Sequence, residues 1–554
     1  MATEEIQDLT DRVFMLRDYL EKGRIKIAEH LADGFVASLE KIKLDADGFV
    51  VPESVDGRIR ALTNGLKYFH YREEAKKSIS LSQIQEDYFR ILDNNFGFIR
   101  KEMIKAGADA NVAAHMMAKD QQFVEHFSKN IGHLISDLQE FWRTVGDAAF
   151  FHVEDSQCLK SVFGGDLFPS YTRNIASSAA LYVDTIVLPC PILHSAALTR
   201  MWKPEKAAYF IVKHAVNALN YRDLALAGVT PPIIVVLPDI ETFDEHHIDT
   251  IRAFSESAAI RHGSVIFGNS FSSIEELTDF LDKLASPDEV LEKIKHPERL
   301  LFNTEWEETP RTQLETSLED NAGTFKGFLG EKHAGRLVLI QCMGRMSQAA
   351  AVELRSTRLR GTPLIDAETS WRYLNWKMEY DAQPSAEPEH PSEAMHIVRA
   401  LQAEGDKNLC WLGNVPSEAI IELRRRGLTE ELRAILSKGV PRLIDANPTN
   451  FFRTSDQVVE NLDSAFREHQ RALVEAREKK VKLFGLDVGA CLAVGGISVA
   501  AAITANPQLA AVAGILGVAG LPNLRDIKTK FKDLREQEQK VSTSPTGILF
   551  KHLT

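Results

Sequence analysis

The chain has 554 residues, of which 44% are hydrophobic and 26% are charged, and its formal net charge is -13. This balance is typical of a folded protein and excludes a wholly disordered or wholly membrane-embedded chain. The acidic excess argues against a chain-wide surface for nucleic acid, because binding to phosphate backbones needs clustered lysine and arginine. The length predicts about three compact units.

The five cysteines lie far apart and contain no Cys-x-x-Cys pair; they are Cys158, Cys190, Cys342, Cys410 and Cys491. Such spacing is typical of reduced thiols and predicts neither a zinc site nor a disulfide framework. Residues 1–11 are polar and acidic, unlike a secretory signal or a transit peptide. We therefore expect a cytoplasmic protein with no metal and no cofactor.

Residues 1–150 are predicted to form an all-helical domain. Apolar side chains recur at three- and four-residue spacing over residues 4–44, which predicts a helix with one buried face. Ser82 with Gln85 indicates the start of a second helix, and Gly107 suits the left-handed position at its end. A third helix is expected over residues 109–145. The periodicity is strong, but it indicates no chemistry.

Residues 151–375 are predicted to form an α/β domain. Four short runs rich in Val, Ile and Leu are predicted strands: Leu181–Leu188, Ile233–Leu237, Ser264–Phe267 and Leu337–Gln341. A helix is predicted to start at Thr242, where Glu245 completes a capping box. Strand, helix and strand at this spacing predict a parallel sheet that is covered on both faces.

Open parallel sheets bind ligands beyond the carboxyl ends of their strands. This rule selects the residues that follow the predicted strands: Cys190, Asp239, Asn269, Ser270, Cys342, Gly344 and Arg345. The weak catalytic candidates are Asp239 as a general base or magnesium ligand, Ser270, and Cys190 as a nucleophile. A buried thiol, a loop cap and an ordinary turn explain the same residues, so whether the protein is an enzyme stays open.

Two further patterns have both a chemical and a structural interpretation. Residues 268–272 resemble the G-x-S-x-G elbow, but serine replaces the last glycine, and Ser272 with Glu275 indicates a helix start. His246 and Asp249 could share a helix face as metal ligands, whereas acids in a first turn also complement the helix dipole. HExxH, Walker A and Rossmann glycine motifs are absent from the sequence. No motif therefore indicates a particular reaction.

Residues 392–454 are predicted to form a mostly helical connecting region, with one short strand at Leu409–Leu412. They follow a proline-spaced, polar stretch over residues 380–391 that is typical of an exposed loop. Residues 455–554 are predicted to form a charged helix, an apolar hairpin and a second charged helix. The two charged helices are expected over Ser455–Lys482 and Arg525–Lys540.

The hairpin is the most distinctive prediction. Val488–Leu524 contains no charged residue and is rich in Ala and Gly, and Pro507 divides it into two antiparallel helices. Small residues spaced by four let two helices approach closely, either in lipid or in a protein assembly. The residues expected to form the hairpin contact and its bend are Gly485, Gly489, Gly496, Pro507, Gly514 and Gly517.

The lengths of the two arms of the hairpin are compatible both with lipid and with a protein assembly. A spanning helix needs about 20 apolar residues. The first arm, Leu483–Thr504, is long enough but contains Asp487, whereas the second arm, Gln508–Leu521, is short. Conditional insertion into a membrane and burial within an oligomer are therefore both compatible with the sequence.

These predictions together describe a helix-rich, mixed α/β protein with an all-helical N-terminal unit, a central parallel α/β layer and a C-terminal helical hairpin. We expect an effector-like or scaffolding protein whose hairpin mediates self-association or conditional membrane insertion, by analogy with toxin-like pore formers. Its expected partners are copies of itself and a lipid membrane, not nucleic acid; a small-molecule ligand is unknown. The alternatives are a soluble hydrolase of a nucleotide or phosphorylated small molecule, and a non-catalytic oligomeric adaptor.

Overall fold

The structure is a computed structural model. It describes residues 2–166, 168–169, 175–199, 202–238, 245–302, 308–321, 333–381, 393–402, 415–446, 451–484 and 543–553. The chain divides into two compact units, the first comprising Met1–Ile91 with Asn130–Gln157 and the second Leu92–Lys129 with Cys158–Thr554. The domain limits drawn from the sequence stay predictions.

Residues 2–155 form six α-helices joined by turns. Its helices are α1 (Ala2–Glu21), α2 (Glu29–Glu40), α3 (Gly57–Ser78), α4 (Leu81–Lys105), α5 (Ala110–Lys119) and α6 (Gln121–Asp155). The single helix expected over residues 4–44 is two helices, because the chain turns at Gly23, which has φ of +62°. Gly107 also has φ of +62°, so its predicted left-handed position after α4 is confirmed.

The core of the first unit follows from the apolar spacing of α1. Leu16 on α1 and Ile59 on α3 are fully buried, and Val50 in the connecting turn is buried with them. The Val50 N–H donates to the Thr10 hydroxyl at 2.9 Å, which satisfies a backbone group inside this core. The polar face of each helix is left to solvent.

The second unit is built on a four-stranded parallel sheet. Its strands are β1 (Lys160–Phe163), β2 (Thr185–Pro189), β3 (Ile234–Leu237) and β4 (Thr362–Leu364), in the order β3-β2-β1-β4. Val162 pairs with Val187 on one side and with Pro363 on the other. The first three strands are buried at every residue, as expected for a parallel sheet covered on both faces. The predicted parallel layer is confirmed, with β2 and β3 at two of the predicted strands.

Helices connect and cover these strands. Between β1 and β3 lie α7 (Ile175–Ala179), α8 (Pro191–His194), α9 (Ala196–Thr199), α10 (Pro204–Asn220) and α11 (Arg222–Ala225). Between β3 and β4 lie α12 (Glu245–Phe267), α13 (Ile274–Leu281), α14 (Pro287–Lys293), α15 (Pro310–Asn321) and α16 (Ala334–Arg358). Since α16 contacts both β1 and β4, it covers the part of the sheet where these strands meet.

Two predicted strands are wrong. Ser264–Phe267 is the last turn of α12, and Leu337–Gln341 lies in the first half of α16. Leu337, Val338 and Leu339 are all buried, so this helix is covered over most of its circumference. A short apolar run cannot be assigned to a strand or to a buried helix by periodicity alone.

The two strands missing from the prediction lack the usual signals. β1 contains buried Lys160 and Ser161, and β4 has only three residues, with Pro363 at its centre. Proline cannot donate to a sheet ladder, so it is tolerated in strands at the outside of a sheet. β4 occupies such an outer place among the four described strands.

The remaining described helices form a C-terminal layer. They are α17 (Glu368–Asp381), α18 (Glu393–Leu401), α19 (Ser417–Arg425), α20 (Thr429–Leu436), α21 (Val440–Ala446), α22 (Phe451–Phe484) and α23 (Pro545–Leu553). The charged helix predicted over Ser455–Lys482 is confirmed within α22, with Val458 and Leu462 buried. The predictions for Leu409–Leu412 and Arg525–Lys540 lie outside the described residues.

Two glycines on α16 provide a test of the packing at its start. A Cβ on Gly335 would overlap the carbonyl oxygen of Leu281, whereas Gly344 has open space around it. We expect Gly335→Ala to lower the free energy of unfolding by about 3 kcal/mol through overpacking. Gly344→Ala should instead raise it by about 0.5–1 kcal/mol, because alanine favours a helix interior. Urea unfolding followed by circular dichroism measures both; equal effects would contradict the close approach of α16 to the end of α13.

Candidate functional site

The strand order changes direction between β1 and β4. The chain runs outward from β1 to β2 and β3, and β4 then pairs with the other side of β1. Open parallel sheets bind ligands beyond the carboxyl ends of the strands at such a switch point. The candidate site, called here the β1–β4 crevice, is formed by the residues that follow Phe163 and Leu364 and by the helices beside them.

The crevice begins with two glycines, Gly164 and Gly165. The Gly164 N–H donates to the Leu364 carbonyl oxygen at 3.0 Å, which continues the pairing of β1 with β4. Gly165 has φ of +81°, in the left-handed region that glycine adopts without strain. A Cβ on Gly165 would lie 3.0 Å from the Ser370 Cβ. Glycine therefore lets the turn after β1 pass close to α17.

A hydrogen-bonded chain links this turn to an arginine on α16. The Ser370 hydroxyl donates to the Gly165 carbonyl oxygen at 2.7 Å, and Arg345 Nη1 donates to the Ser370 oxygen at 2.9 Å. Arg345 Nη1 also lies 3.3 Å from Gln348 Oε1. Arg345 is one of the residues predicted to follow a strand. It lies on α16 instead, and Ser370 links its guanidinium to the turn after β1.

The described hydrogen-bond partners of Arg345 are neutral. It is half-buried, and no carboxylate among the described residues lies within ion-pair distance of it. Several other buried or half-buried cations of the unit pair with carboxylates: Lys377 with Glu353 and Asp381, Arg399 with Glu368, and Arg424 and Arg433 with Asp184. Half-buried Arg100 instead donates to the Asn220 side chain at 3.2 Å. A guanidinium without an anion keeps its fork of N–H donors available for a ligand's anionic group.

Two carboxylates follow the same pair of strands. Asp166 lies three residues beyond β1 and is exposed, and Asp366 lies two residues beyond β4 and is half-buried. Carboxylates accept hydrogen bonds from hydroxyl groups and repel a bare anion. Both carboxylates have interactions of their own within the chain, and Asp366 interacts electrostatically with Arg399.

Cys190 lies where the sequence places it, at the carboxyl end of β2. Its N–H donates to the Leu237 carbonyl oxygen at 2.8 Å, and its carbonyl oxygen accepts from the His194 N–H at 3.0 Å. The residue is completely buried before the single turn of α8. Burial is typical of a structural thiol, and its role as a nucleophile stays a prediction. Cys342 is buried on α16, and that burial raises the pKa of its thiol to about 12.

Ser270 lies in the exposed connection between α12 and α13. The strand that would have placed Ser270 beside the crevice is a helix, so the topological reason for selecting it does not hold. The cap of α13 is also shifted by one residue: Ser273, not Ser272, accepts from the Glu276 N–H, at 3.3 Å. Asp239 lies outside the described residues.

The predicted acidic-histidine cluster is described only in part. Asp244 lies outside the described residues, and Asp249 on α12 is exposed, 3.8 Å from Arg252. Among the residues that the structure describes, no three His, Cys, Asp or Glu side chains are placed to hold a metal ion. The hairpin residues Gly485, Gly489, Gly496, Pro507, Gly514 and Gly517 also fall outside the described part of the chain.

Arginines of the run Arg424–Arg426 bind the end of α19 to other parts of the second unit. Arg424 pairs with Asp184 and donates to the Pro231 carbonyl oxygen at 3.0 Å, and Arg425 donates to the Ala227 carbonyl oxygen at 2.9 Å. Burial opposes the charged form of Asp184, but hydrogen bonds, above all from Arg433, hold its carboxyl pKa below the usual value. These arginines are thus engaged in internal contacts.

A buried histidine on α12 is a feature that the sequence pattern did not indicate. His262 on α12 is completely buried, its Nδ1 lies 2.8 Å from the Tyr380 hydroxyl, and its ring stacks on Trp376 at 5.3 Å. Arg299 donates to the same hydroxyl at 3.1 Å. His262 Nε2 is buried without a hydrogen-bond partner among the described residues. A lone histidine in an apolar helix face carried no sequence signal for this cluster.

No family model, no curated protein and no solved structure matches the chain. Within the described residues, no helix is both long enough and apolar enough to cross a membrane. Residues 485–542, which include the predicted hairpin, lie outside the described part of the chain.

Buried histidines predict a defined dependence of stability on pH. Burial lowers the pKa of His262 to about 3, with Arg299 adding to the effect, and burial likewise lowers the pKa of His214 to about 3. In the unfolded chain a histidine has a pKa near 6.5, so between pH 6.5 and pH ~3 it binds a proton that the folded protein does not bind. The free energy of unfolding therefore has its full value above pH ~6.5. At lower pH it decreases by up to about 1.4 kcal/mol per pH unit for each of these histidines.

His262→Gln should remove part of this slope between pH 6.5 and pH 4, whatever its effect on stability at neutral pH. The exposed His133 provides the control, since His133→Gln should leave the slope unchanged. Urea unfolding at a series of pH values measures the slope. An unaltered slope in His262→Gln would contradict a neutral, buried imidazole.

Proposed function

We propose that the protein is a cytoplasmic, effector-like or scaffolding protein whose C-terminal apolar segment mediates self-association or conditional membrane insertion. The segment comprises Val488–Leu524, and the N-terminal and α/β units control its exposure. The supporting sequence observation is the absence of charge over this whole stretch, next to the strongly charged run that ends α22. Such a stretch needs shielding from water by protein or by lipid.

The anchoring of the described residues on both sides of this segment carries the proposal. α22 packs against α18, α20 and α21, and α23 packs against α19, α20 and α22. Ile548 and Leu549 of α23 are fully buried. The described helices before and after this segment therefore pack within the same unit, with α23 against α22. This arrangement supports a hairpin that is fixed at both ends.

The length of α22 supports the same interpretation. A helix of 34 residues is about 50 Å long. The buried side chains Val458, Leu462 and His469 lie in its first two-thirds, and Phe484 is about 22 Å further along the helix axis than His469. A long helix that leads from a packed layer can carry the apolar segment away from the α/β unit, where a second copy or a membrane would meet it.

Charges placed in both arms of the hairpin test the proposal. We expect the full chain to be oligomeric, to float with anionic lipid vesicles, or both, and Ile497→Lys with Ile515→Lys to abolish that behaviour. A lysine at the centre of a membrane helix costs about 2.5–3.5 kcal/mol, so two should weaken partition into vesicles at least ~100-fold. Light scattering gives the mass and vesicle flotation gives the membrane-bound fraction.

The matched control places two lysines at exposed apolar residues of the second unit, Ile104 and Met116. Ile104→Lys with Met116→Lys should keep the mass and the membrane-bound fraction of the wild type. The proposal would be contradicted if the wild type is monomeric and does not bind vesicles while the hairpin variant is less stable than the wild type. That result would make the segment part of the interior of a lone chain.

A further inference from the structure

We propose that His262 is an acid-sensitive latch, which holds residues 373–381 of α17 on α12 at neutral pH and lets them separate when the imidazole binds a proton. The latch is built entirely from described residues of the second unit. Its use as a control of the apolar segment rests on the proposed function, because α17 is the first helix of the C-terminal layer that precedes this segment. The latch itself does not depend on the segment.

One face of α17 encloses the imidazole. Tyr373, Trp376 and Tyr380 are spaced by three and four residues, so they share a face of this helix. Their rings lie 5.0, 5.3 and 5.9 Å from the His262 ring, and His262 Nδ1 lies 2.8 Å from the Tyr380 hydroxyl oxygen. His262 is completely buried. The packing of residues 373–381 on α12 therefore depends on the fit of this side chain.

A permanent cation shares the Tyr380 hydroxyl with His262. Arg299 Nη1 donates to this oxygen at 3.1 Å, and the guanidinium lies 5.6 Å from the centre of the Trp376 ring. Protonation of His262 would place a second cation against the same two aromatic side chains. The Arg299 backbone favours the charged imidazole, but burial, together with the guanidinium, outweighs it and lowers the pKa of His262 to about 3. The closed latch therefore needs a neutral imidazole.

The charges around the latch are paired with one another and not with the imidazole. Arg299 pairs with Glu379 at 2.9 Å, and Arg261 pairs with Asp381 at 3.1 Å. Among the described residues, no carboxylate lies within ion-pair distance of His262. The titratable and charged groups around it are Arg261, Arg299, Cys342, Glu353, Tyr373, Lys377, Glu379, Tyr380 and Asp381, and α13 contributes the uncharged Leu277. A protonated imidazole therefore has no described anion to neutralise it.

The latch responds to a defined range of pH. When residues 373–381 separate from α12, His262 becomes hydrated and regains a histidine pKa near 6.5, so opening becomes more favourable as the pH falls below this value. The binding of one proton makes opening about 100-fold more favourable at pH 4.5 than at pH 7.5. A carboxylate titrates mainly near pH 4, so acid between pH 6.5 and pH 4.5 acts first on the imidazole.

Hydrogen exchange of the full chain, followed by mass spectrometry between pH 7.5 and pH 4.5 and corrected for intrinsic exchange rates, tests the latch. A short helix end without packing is unstable in water, so the amides of residues 373–381 exchange when the latch opens. Their protection should fall by up to ~100-fold at pH 4.5.

His262→Gln cannot bind the proton and should remove most of this loss, leaving a response of residues 373–381 below ~10-fold. His214→Gln is the matched control, because His214 on α10 is also buried and burial also lowers its pKa to about 3. That variant should keep the full response of residues 373–381. The hairpin variant Ile497→Lys with Ile515→Lys should keep it too, which separates the latch from the proposed function.

Two results would overturn the inference. The first is an unchanged protection of residues 373–381 in the wild type down to pH 4.5. The second is an equal effect of His262→Gln and His214→Gln on these residues, because that pattern indicates global unfolding by acid. If His262→Gln fails to fold at neutral pH, His262→Phe decides, since phenylalanine fills the aromatic site without titrating. Its acid response must then be smaller than that of the wild type.

Discussion

The second unit depends on the burial of a small parallel sheet on both of its faces. A parallel sheet has no face that tolerates water, so every strand needs helices above and below it. With four short strands, the cover must come from many helices, and α16 does this over both β1 and β4. The close approach of helix to strand in turn requires Gly164 and Gly165 beyond β1. The shape of the crevice thus follows from how the sheet is covered.

The elements that the sequence predicts correctly are those with one exposed and one buried side, or with clear end signals. The charged helix within α22 alternates buried Val458 and Leu462 with charged residues, and Gly107 ends α4 in the left-handed position that its residue type indicates. Prediction from sequence fails where an element is buried on all sides, because it then has no polar face to contrast with its apolar face. The start of α16 is apolar on most sides, and β1 carries Lys160 and Ser161 although it is buried. Tertiary packing decides such segments, and the local pattern does not.

The candidate site was partly predictable for the same reasons. The rule that ligands bind beyond strand ends is sound, but its use requires the correct strands and their order. The wrong strand Ser264–Phe267 led to Ser270, and the two missed strands concealed Gly165 and Ser370. The order β3-β2-β1-β4 places the switch point between β1 and β4. It depends on pairings between residues far apart in the sequence, such as Val162 with Pro363. The local sequence pattern does not predict which distant strands pair.

Arg345 and the apolar segment differ in how the chain can shield them from water. Arg345 is held beside the buried strands by Ser370 and Gln348, with no carboxylate among the described residues within ion-pair distance. Val488–Leu524 contains no charged residue, so it needs cover from other apolar surface, which the rest of the chain, a second copy or lipid could supply. The helices from α18 to α22 lie between Arg345 and this segment in the sequence. The α/β unit can influence the segment only if a bound group favours one of two arrangements of those helices.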